Sequence, residues 1–331
     1  LTGCSGFIGH HCLKYFLDNT DWFVVCLDSF RHKGTYSRLS ELSLPEDRCL
    51  VLRHDLCVPI DDVLRRRIVG NSRLDIIVNM ASDSAVERSV SNPGSCWGNN
   101  CELIYNILEF ARCSEVEKFI QISTDEVYGD CTNGKPHSEW DVVCPSNPYA
   151  ASKAAQEALT MAYFRTYRLP AIITNCMNVI GTRQDREKFL PKIIWKIATN
   201  QEMEIYADFR DGNPVAGSRF YTHAENHADA IVWLAERPAA SFLDGSQRPD
   251  RYNIVGDVEL DNLQFALAVA EIMGRKLRYR LVASESARPG YDRRYALDGS
   301  KIRDLGWRPP VQFFEGLERI VRWTLDNPWW I

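Results

Sequence analysis

The sequence comprises 331 residues, of which 45% are hydrophobic and 25% are charged, and its net charge is −5. This composition supports one large hydrophobic core or two modest ones and argues against a disordered chain. The negative charge argues against a nucleic-acid-binding protein, because a phosphate backbone is met by basic patches. The run Arg65-Arg66-Arg67 is better interpreted as a solvated helix face.

The cysteine and histidine contents indicate the compartment and argue against a metal site. Eleven cysteines, several of them inside apolar runs, are typical of buried free thiols in a reducing compartment, and we therefore expect a cytoplasmic protein. The sequence has no Cys-x-x-Cys motif, and its seven histidines lack ligand spacing, so no metal is expected. No apolar run reaches membrane-spanning length. The sequence opens inside a predicted strand that precedes residue 3, so we expect further residues before Leu1.

Glycines recur at every third position near the start of the sequence, at Gly3, Gly6 and Gly9. Glycine lets the backbone approach a pyrophosphate closely at the N-terminus of a helix. The residues that follow, including Phe7 and Ile8, repeat at helical spacing. The sequence therefore predicts a dinucleotide-binding turn between a strand and a helix.

An acidic residue follows this turn at the distance typical of dinucleotide-binding folds. Residues 23–27 predict a strand that ends at Asp28, about 20 residues after the glycines. A carboxylate there accepts hydrogen bonds from the ribose hydroxyls and repels a 2′-phosphate, which favours NAD over NADP. Arg31 and Lys33 weaken that preference because they lie close to Asp28 in sequence.

Strands and helices alternate up to about residue 175. This order predicts an α/β fold with a doubly wound, Rossmann-like parallel sheet. Strands are predicted near residues 23–27, 50–53, 75–79, 118–122 and 170–175.

Acidic and hydroxyl groups follow the fourth predicted strand, as Thr124, Asp125 and Glu126. Open parallel sheets bind ligands at the carboxyl ends of their strands, so these groups are expected in the active site. Further along, Tyr149 and Lys153 are four residues apart and would share one face of a helix. An acid, a base and a Tyr/Lys pair together indicate redox chemistry coupled to elimination.

Further motifs extend along the sequence, at residues 80–89, 174–178, 187–191, 288–296, 305–309 and 327–330. With them, the chain resembles the extended short-chain dehydrogenase/reductases, and more narrowly the dTDP-glucose 4,6-dehydratases. The resemblance covers nearly the whole length. Epimerases and decarboxylases of the superfamily share the glycine turn and the Tyr/Lys pair, whereas the adjacent Asp-Glu pair resembles a dehydratase.

The resemblance implies a mechanism. Tyr149, with its pKa lowered toward neutrality by Lys153 and the nicotinamide ring, would remove the C4 hydroxyl proton of the sugar. After hydride transfer from C4 to NAD, Glu126 would take the C5 hydrogen while Asp125 protonates the leaving C6 hydroxyl. Hydride return to C6 would give a 4-keto-6-deoxy sugar nucleotide. Thr124 would orient the C4 oxygen, or alternatively satisfy the backbone at the strand end.

The resemblance also implies the residues that bind the cofactor and the substrate. NAD would be held by Gly3, Gly6, Phe7, Ile8, Gly9, Asp28, Asp55, Leu56, Ala81, Ser82, Asn99, Ser123, Tyr149 and Lys153. The sugar nucleotide would be held by Ser84, Asn178, Glu187, Lys188, Phe189, Tyr206, Arg219, Asn262, Arg288 and Tyr291. Glu187-Lys188 is equally consistent with an exposed ion pair.

The chain departs from the family pattern at positions on the substrate side. The family usually has His at position 85, Asn-Tyr-Gly-Pro at 179–182, Asp-Trp at 220–221 and His at 291, where this chain has Ala85, Val-Ile-Gly-Thr, Phe-Tyr and Tyr291. Segment 208–218 also looks longer than usual. We therefore expect the redox chemistry to be intact, with dTDP-glucose as substrate and UDP-glucose as the alternative. An epimerase or decarboxylase, or a catalytically silent NAD-binding protein, are the other hypotheses.

Two lobes and a dimer are expected from the same pattern. Residues 1–177 would form the NAD-binding domain, with 220–237 returning to it, and 178–331 would mainly form the sugar-nucleotide lobe. Helices predicted at 100–112 and 151–167 carry apolar and alanine-rich stripes, which permit close helix packing. The resemblance implies a homodimer built on a four-helix contact between these helices.

Overall fold

The computed structural model describes residues 1–70, 72–131, 134–209, 212–240, 245–283, 290 and 292–331. Its larger sheet is parallel throughout, which confirms the predicted α/β class. The strands of this sheet are β1 (Val24–Asp28), β2 (Cys49–Arg53), β3 (Ile76–Asn79), β4 (Lys118–Thr124), β5 (Ala171–Cys176) and β10 (Asp250–Ile254).

The first residues of the chain join the two halves of this sheet. Thr2 forms parallel bridges with Leu27 of β1 and Asn79 of β3, so the order is β2-β1-(Thr2)-β3-β4-β5-β10. The Thr2 hydroxyl donates to the buried Asn79 side chain at 2.6 Å. Every residue of β4 and β5 is buried, as expected for central strands covered on both faces.

Helices cover both faces of the parallel sheet. One core cluster packs α1 and α8 against it, and a second packs α5 and α6 against the opposite face. The helices are α1 (Phe7–Asn19), α2 (Tyr36–Ser40), α3 (Asp62–Val69), α4 (Val86–Ser91), α5 (Pro93–Cys113), α6 (Pro148–Tyr167), α7 (Phe189–Ala198), α8 (Ala224–Ala235), α9 (Asn262–Ile272), α10 (Ser300–Asp304) and α11 (Phe313–Asp326).

The remaining strands build a smaller lobe with its own core. One sheet contains β6 (Asn178–Ile180), β9 (Ser218–His223), β11 (Val258–Asp261) and β13 (Arg294–Tyr295), and another contains β7 (Met203–Asp208), β8 (Val215–Ala216) and β12 (Tyr279–Ala283). A third hydrophobic cluster packs α7, α9 and α11 around Phe265. The lobe thus stands beside the carboxyl edge of the parallel sheet, where β5 runs directly into β6.

The ends of the five predicted strands lie within two residues of the observed ends. The two predicted helices begin earlier in the structure than in the prediction. The helix predicted at 151–167 begins at Pro148, and the one predicted at 100–112 begins at Pro93. Both starts have an asparagine cap followed by proline, a pairing typical of helix N-termini. The division into domains at residue 177 stays a prediction.

The last turn of the chain contacts the segment between β1 and β2. The Trp330 indole donates to the Glu41 carboxylate at 3.2 Å, and the Arg38 guanidinium lies 5.6 Å from the centre of the same indole. Arg38 is buried and donates to the backbone carbonyls of Lys33 and Ser5. Trp330 therefore rests on a side chain that supports the glycine turn.

Within the described ranges, none of the helices combines the length and the apolar character needed to cross a lipid bilayer. In the same part of the chain, no group of three or more His, Cys, Asp or Glu side chains has an arrangement that could hold a metal ion.

Candidate active site

A cavity of about 320 Å³ opens at the carboxyl ends of β1, β3, β4 and β5. This is the position at which doubly wound sheets bind ligands, and its size is in the range of small-molecule sites. The structure brings together there most of the predicted residues: Gly3, Gly6, Phe7, Ile8, Gly9, Asp28, Asp55, Leu56, Ala81, Ser82, Ser84, Asn99, Ser123, Thr124, Asp125, Glu126, Tyr149, Lys153, Asn178 and Lys188.

The glycine turn forms a tight backbone cradle. Gly3 has a φ of +69°, which side chains rarely adopt, and a Cβ at Gly9 would lie 2.0 Å from the Gly3 carbonyl oxygen. Gly6 caps the N-terminus of α1 without a side-chain contact, so nothing at this position covers the end of the helix. Free backbone N–H groups at a helix N-terminus favour a phosphate ligand.

Two carboxylates line the cavity beyond the cradle. Asp28 accepts hydrogen bonds from the Ser5 and Phe30 backbone amides at 2.8 and 2.9 Å, which fix its orientation at the end of β1. Asp55 accepts from the Arg31 guanidinium at 2.7 Å. Arg31 thus turns toward Asp55 and pairs with it across the cavity wall.

The acid pair lies on a 3₁₀ turn, Asp125–Tyr128, that follows β4 directly. Asp125 is 5% exposed, and its Oδ2 atom has no hydrogen-bond partner among the described residues. Burial, reinforced by the charge of neighbouring Glu126, raises the pKa of Asp125 to about 7. Thr124 donates from its hydroxyl to Asp125 Oδ1 at 2.9 Å and caps the turn through the Glu126 amide. Both functions expected of the Thr124 hydroxyl are therefore compatible with its position.

Glu126 is half-buried and has a different environment from Asp125. The Asn147 side-chain amide donates to Glu126 Oε2 at 2.9 Å. A hydrogen bond to a carboxylate stabilises its ionised form. The two neighbouring carboxyl groups therefore differ in their burial and in their hydrogen-bond partners.

Tyr149 and Lys153 lie one turn apart on α6, as predicted, and both line the cavity. The pKa of Tyr149 is nevertheless raised well above its usual range, because of burial and the negative charges of Glu126 and Asp125. The prediction that Lys153 and the nicotinamide ring together lower this pKa stays a prediction. Among the protein groups, the Lys153 ammonium donates to the Ile122 carbonyl at 2.7 Å and to the Gln156 side chain at 2.6 Å. Burial also lowers the pKa of Lys153 to about 8.

A buried ion pair connects α6 to the parallel sheet. Glu157, one turn after Lys153, pairs with Arg251 of β10, and both side chains are almost fully buried. Glu157 also accepts from the Asn175 side chain at 2.7 Å, and the same amide donates to the Thr124 carbonyl at 3.0 Å. This network connects α6, β5 and β10 to the start of the acid-pair turn.

Five of the predicted substrate residues lie outside the lining of the cavity. Glu187 is paired with Lys33 at 2.6 Å, and both side chains are substantially exposed. Phe189 stacks on Phe265 within the third core cluster. Tyr206 is a half-buried residue of β7, in the smaller lobe.

The other two are held by protein groups. The Arg219 guanidinium is buried, donates to the backbone carbonyls of Ser218, Asp292 and Arg293, and lies over the Tyr295 ring. Asn262 accepts a hydrogen bond from the Tyr221 hydroxyl at 3.4 Å. Substrate contacts by these five side chains stay predictions. Arg288 and Tyr291 lie outside the described residues.

The cavity also has lining residues that the sequence argument missed. They include the loop between β1 and α2, as His32, Lys33 and Gly34, and the segment after β6, as Gln184 and Asp185. The glycine at position 34 is a signal in the sequence, because a Cβ there would lie 2.5 Å from Ser5 Oγ. The others lack a local signature.

Comparison with known proteins gives the family. The model of the family described as GDP-mannose 4,6 dehydratase matches residues 1–320. The chain is 34% identical over 331 residues to the low-salt glycan biosynthesis protein Agl12 of Haloferax volcanii, covering 99% of this chain and 98% of the relative. It is 32% identical over 359 residues to dTDP-glucose 4,6-dehydratase 1 of Escherichia coli K12, covering 100% and 93%. The chain therefore belongs to the GDP-mannose 4,6 dehydratase family.

Solved structures place it more narrowly. DesIV, a dTDP-glucose 4,6-dehydratase from Streptomyces venezuelae solved with NAD and TYD bound, superimposes with a TM-score of 0.85 at 32% identity, covering 99% of this chain and 97% of that one. A UDP-glucose 4-epimerase of Thermus thermophilus in complex with NAD gives a TM-score of 0.81 at 26% identity, covering 97% and 96%. Within the extended short-chain dehydrogenase/reductases, the chain is thus similar to dTDP-glucose 4,6-dehydratases.

Proposed function

We propose that this protein is an NAD-dependent nucleotide-sugar 4,6-dehydratase that converts dTDP-glucose to its 4-keto-6-deoxy product. The observation that carries the proposal is the acid pair: a buried Asp125 whose pKa is raised to about 7, beside a Glu126 that accepts a hydrogen bond. Elimination of water needs a proton donor and a proton acceptor at one place, and these neighbours supply both.

The residues of the cavity fit a dinucleotide. The glycine cradle leaves no space for a side chain at Gly9, the N-terminus of α1 has no side-chain cap, and Asp28 is held at the end of β1. These groups would hold the pyrophosphate and a ribose, with Asp55 and Leu56 near the adenine. When bound, NAD would accept hydrogen from C4 of the sugar and return it to C6.

The proton transfers are assigned to this chain's own residues. Tyr149 would remove the C4 hydroxyl proton, while Thr124 orients the C4 oxygen. Burial and the neighbouring acidic groups raise the pKa of Tyr149. The tyrosine therefore needs positive charge nearby before it can act as a base. Lys153 and the nicotinamide ring would supply that charge. The 4-ketone then acidifies the C5 hydrogen, which Glu126 removes while protonated Asp125 donates to the departing C6 hydroxyl.

The nucleotide is proposed from the relatives that carry it in their names. The chain is 33% identical to the dTDP-glucose 4,6-dehydratase of Shigella flexneri, and DesIV binds TYD. UDP-glucose is the alternative substrate, because the departures from the family pattern lie on the substrate side. Ser84, Asn178 and Lys188 line the cavity and are proposed to contact the sugar nucleotide.

The test is incubation of the purified protein with a panel of nucleotide-glucoses, followed by the alkali-developed absorbance of 4-keto sugars. dTDP-glucose should give the largest signal. Substrate deuterated at C4 should give product deuterated at C6 within the same molecule. A 4-epimer without 4-keto absorbance would refute the dehydratase proposal and favour an epimerase, for which the acid pair is dispensable.

We further propose a homodimer formed by α5 and α6. These helices pack together, and their outer faces leave large side chains about half exposed: Trp97 and Tyr105 on α5, and Tyr167 on α6. An apolar surface on two adjacent helices is typical of an isologous interface. Sedimentation equilibrium should give a dimer at micromolar concentration, and Tyr105→Lys should give a monomer. A monomeric native protein would contradict the proposal.

The lobe division at residue 177 is proposed in the same way, with α8 belonging to the nucleotide-binding lobe because it packs against α1. A reducing compartment, the cytoplasm, is proposed from the buried free thiols Cys4, Cys12 and Cys26.

A further inference from the structure

Asn147 caps the N-terminus of α6 and also contacts Glu126 of the acid pair. Its Oδ1 accepts from the Ala150 amide at 2.9 Å, and this contact caps α6 two residues before Tyr149. Its Nδ2 donates to Glu126 Oε2 at 2.9 Å. Asn147 is 6% exposed and does not line the cavity, and its NH₂ group acts on the cavity through Glu126.

The orientation of this side-chain amide is fixed by chemistry. The two ends of an asparagine amide are hard to distinguish by shape, but only its oxygen can accept a hydrogen bond from a backbone N–H. The helix cap therefore holds Oδ1 toward Ala150, which directs the NH₂ group toward Glu126. An NH₂ group only donates, so the ionised form of Glu126 is the better partner.

The backbone fixes the distance between Asn147 and the acid-pair turn. The Cys144 amide donates to the Val127 carbonyl at 2.9 Å, and a Cβ at Gly129 would lie 2.3 Å from the Cys144 carbonyl oxygen. On the other side, a Cβ at Gly290 would lie 2.7 Å from the Ser146 carbonyl oxygen. Because segment 144–147 is held on both sides, a shorter side chain at position 147 would lose its contact with Glu126.

We propose that Asn147 is a positioning residue that keeps Glu126 ionised and aimed at the substrate, and thereby separates the acid from the base within the pair. The part of this proposal that concerns catalysis rests on the proposed dehydratase function. Its electrostatic part depends only on the contact between the Asn147 amide and Glu126.

Several charged and titratable groups face Glu126. They are Asp125 on the same turn, Tyr149 on α6 and Tyr295 on β13, and the negative charge of Glu126 raises the pKa of each of them. Arg219 of β9 opposes this effect at Asp125 and at Tyr295. Substitution of Asn147 alone leaves all of these groups in place, so its contribution can be separated from theirs.

The test uses substitutions that retain the cap. Serine and aspartate are both good N-cap residues, so Asn147→Ser and Asn147→Asp should leave α6 intact. The Asn147→Ser side chain is too short to donate to Glu126, and this loss should move the acid limb of the kcat–pH profile upward by about one pH unit. Asn147→Asp adds a like charge next to Glu126 and should move it further. Asn92→Ser, at the exposed cap of α5, is the matched control and should not move it.

A second measurement separates this inference from the proposed function. The carbon-13 carboxyl signal of Glu126, assigned by its absence in Glu126→Gln, should titrate about one unit higher in Asn147→Ser than in the wild type, in NAD-bound protein. This measurement holds whether or not the protein turns over dTDP-glucose. An unchanged Glu126 titration in both cap-retaining variants would overturn the proposal. So would a fall in kcat that is uniform across pH.

Discussion

Replacing Asp125 by asparagine should make the protein more stable at alkaline pH, although it removes the proton donor of the reaction. The pKa of Asp125 rises from a usual value of 3.8 to about 7 on folding, so the folded protein keeps a proton that the unfolded chain has already released. Stability is then lost as pH rises from about 4 to about 7, at about 1.4 kcal/mol per pH unit. The full cost above pH 7 is about 4 kcal/mol. Asparagine does not titrate and has no such cost.

The assay is urea unfolding of wild type and Asp125→Asn at pH 5 and at pH 8. The difference in unfolding free energy between the two proteins should grow in favour of the variant by about 2 to 3 kcal/mol between these pH values. A comparison across pH cancels the hydrogen bonds that asparagine gains or loses. Asp47→Asn, at an exposed carboxyl, is the control and should show no such growth. An equal difference at both pH values would refute a raised pKa at Asp125.

Three further outcomes are expected. Tyr149→Phe should lower kcat by about 10² to 10⁴ while retaining the fold, whereas Tyr163→Phe on the same helix should not; near-normal turnover in Tyr149→Phe would remove the assignment of the base. The kcat of the wild type should fall as pH rises through about 7, because Asp125 loses the proton it donates, and a flat profile from pH 6 to 9 would contradict this. Arg251→Met should lower the free energy of unfolding by about 3 to 5 kcal/mol, measured by urea unfolding, because it leaves Glu157 buried without its partner.

Local sequence signals were sufficient for the fold and for many of the residues that gather around the cavity. The glycine turn, Asp28, the acid pair and the Tyr/Lys pair all lie at the ends of predicted strands or one turn apart on a helix. Short-range spacing determines such positions, because the carboxyl ends of parallel strands share one edge. The positions of these residues around the cavity could be predicted for this reason.

The surroundings of several predicted substrate residues could not be predicted in the same way. The Arg219 guanidinium is engaged by the carbonyls of Asp292 and Arg293, more than 70 residues away in sequence. Glu187 is paired with Lys33, which lies 154 residues away in sequence. Contacts between segments that are far apart in sequence determine the surroundings of each of these residues. A local sequence pattern contains no information about such contacts.

The position of Trp330 has a spectroscopic consequence. Its indole lies against Arg38, and Arg38 in turn holds the carbonyls of Lys33 and Ser5 beside the glycine turn. Indole emission responds to nearby charge and to solvent, so this tryptophan is a natural fluorescent reporter at the far end of the polypeptide. The difference in emission between the wild type and Trp330→Phe would give an optical signal for ligand entry into the cradle, without a label and without turnover.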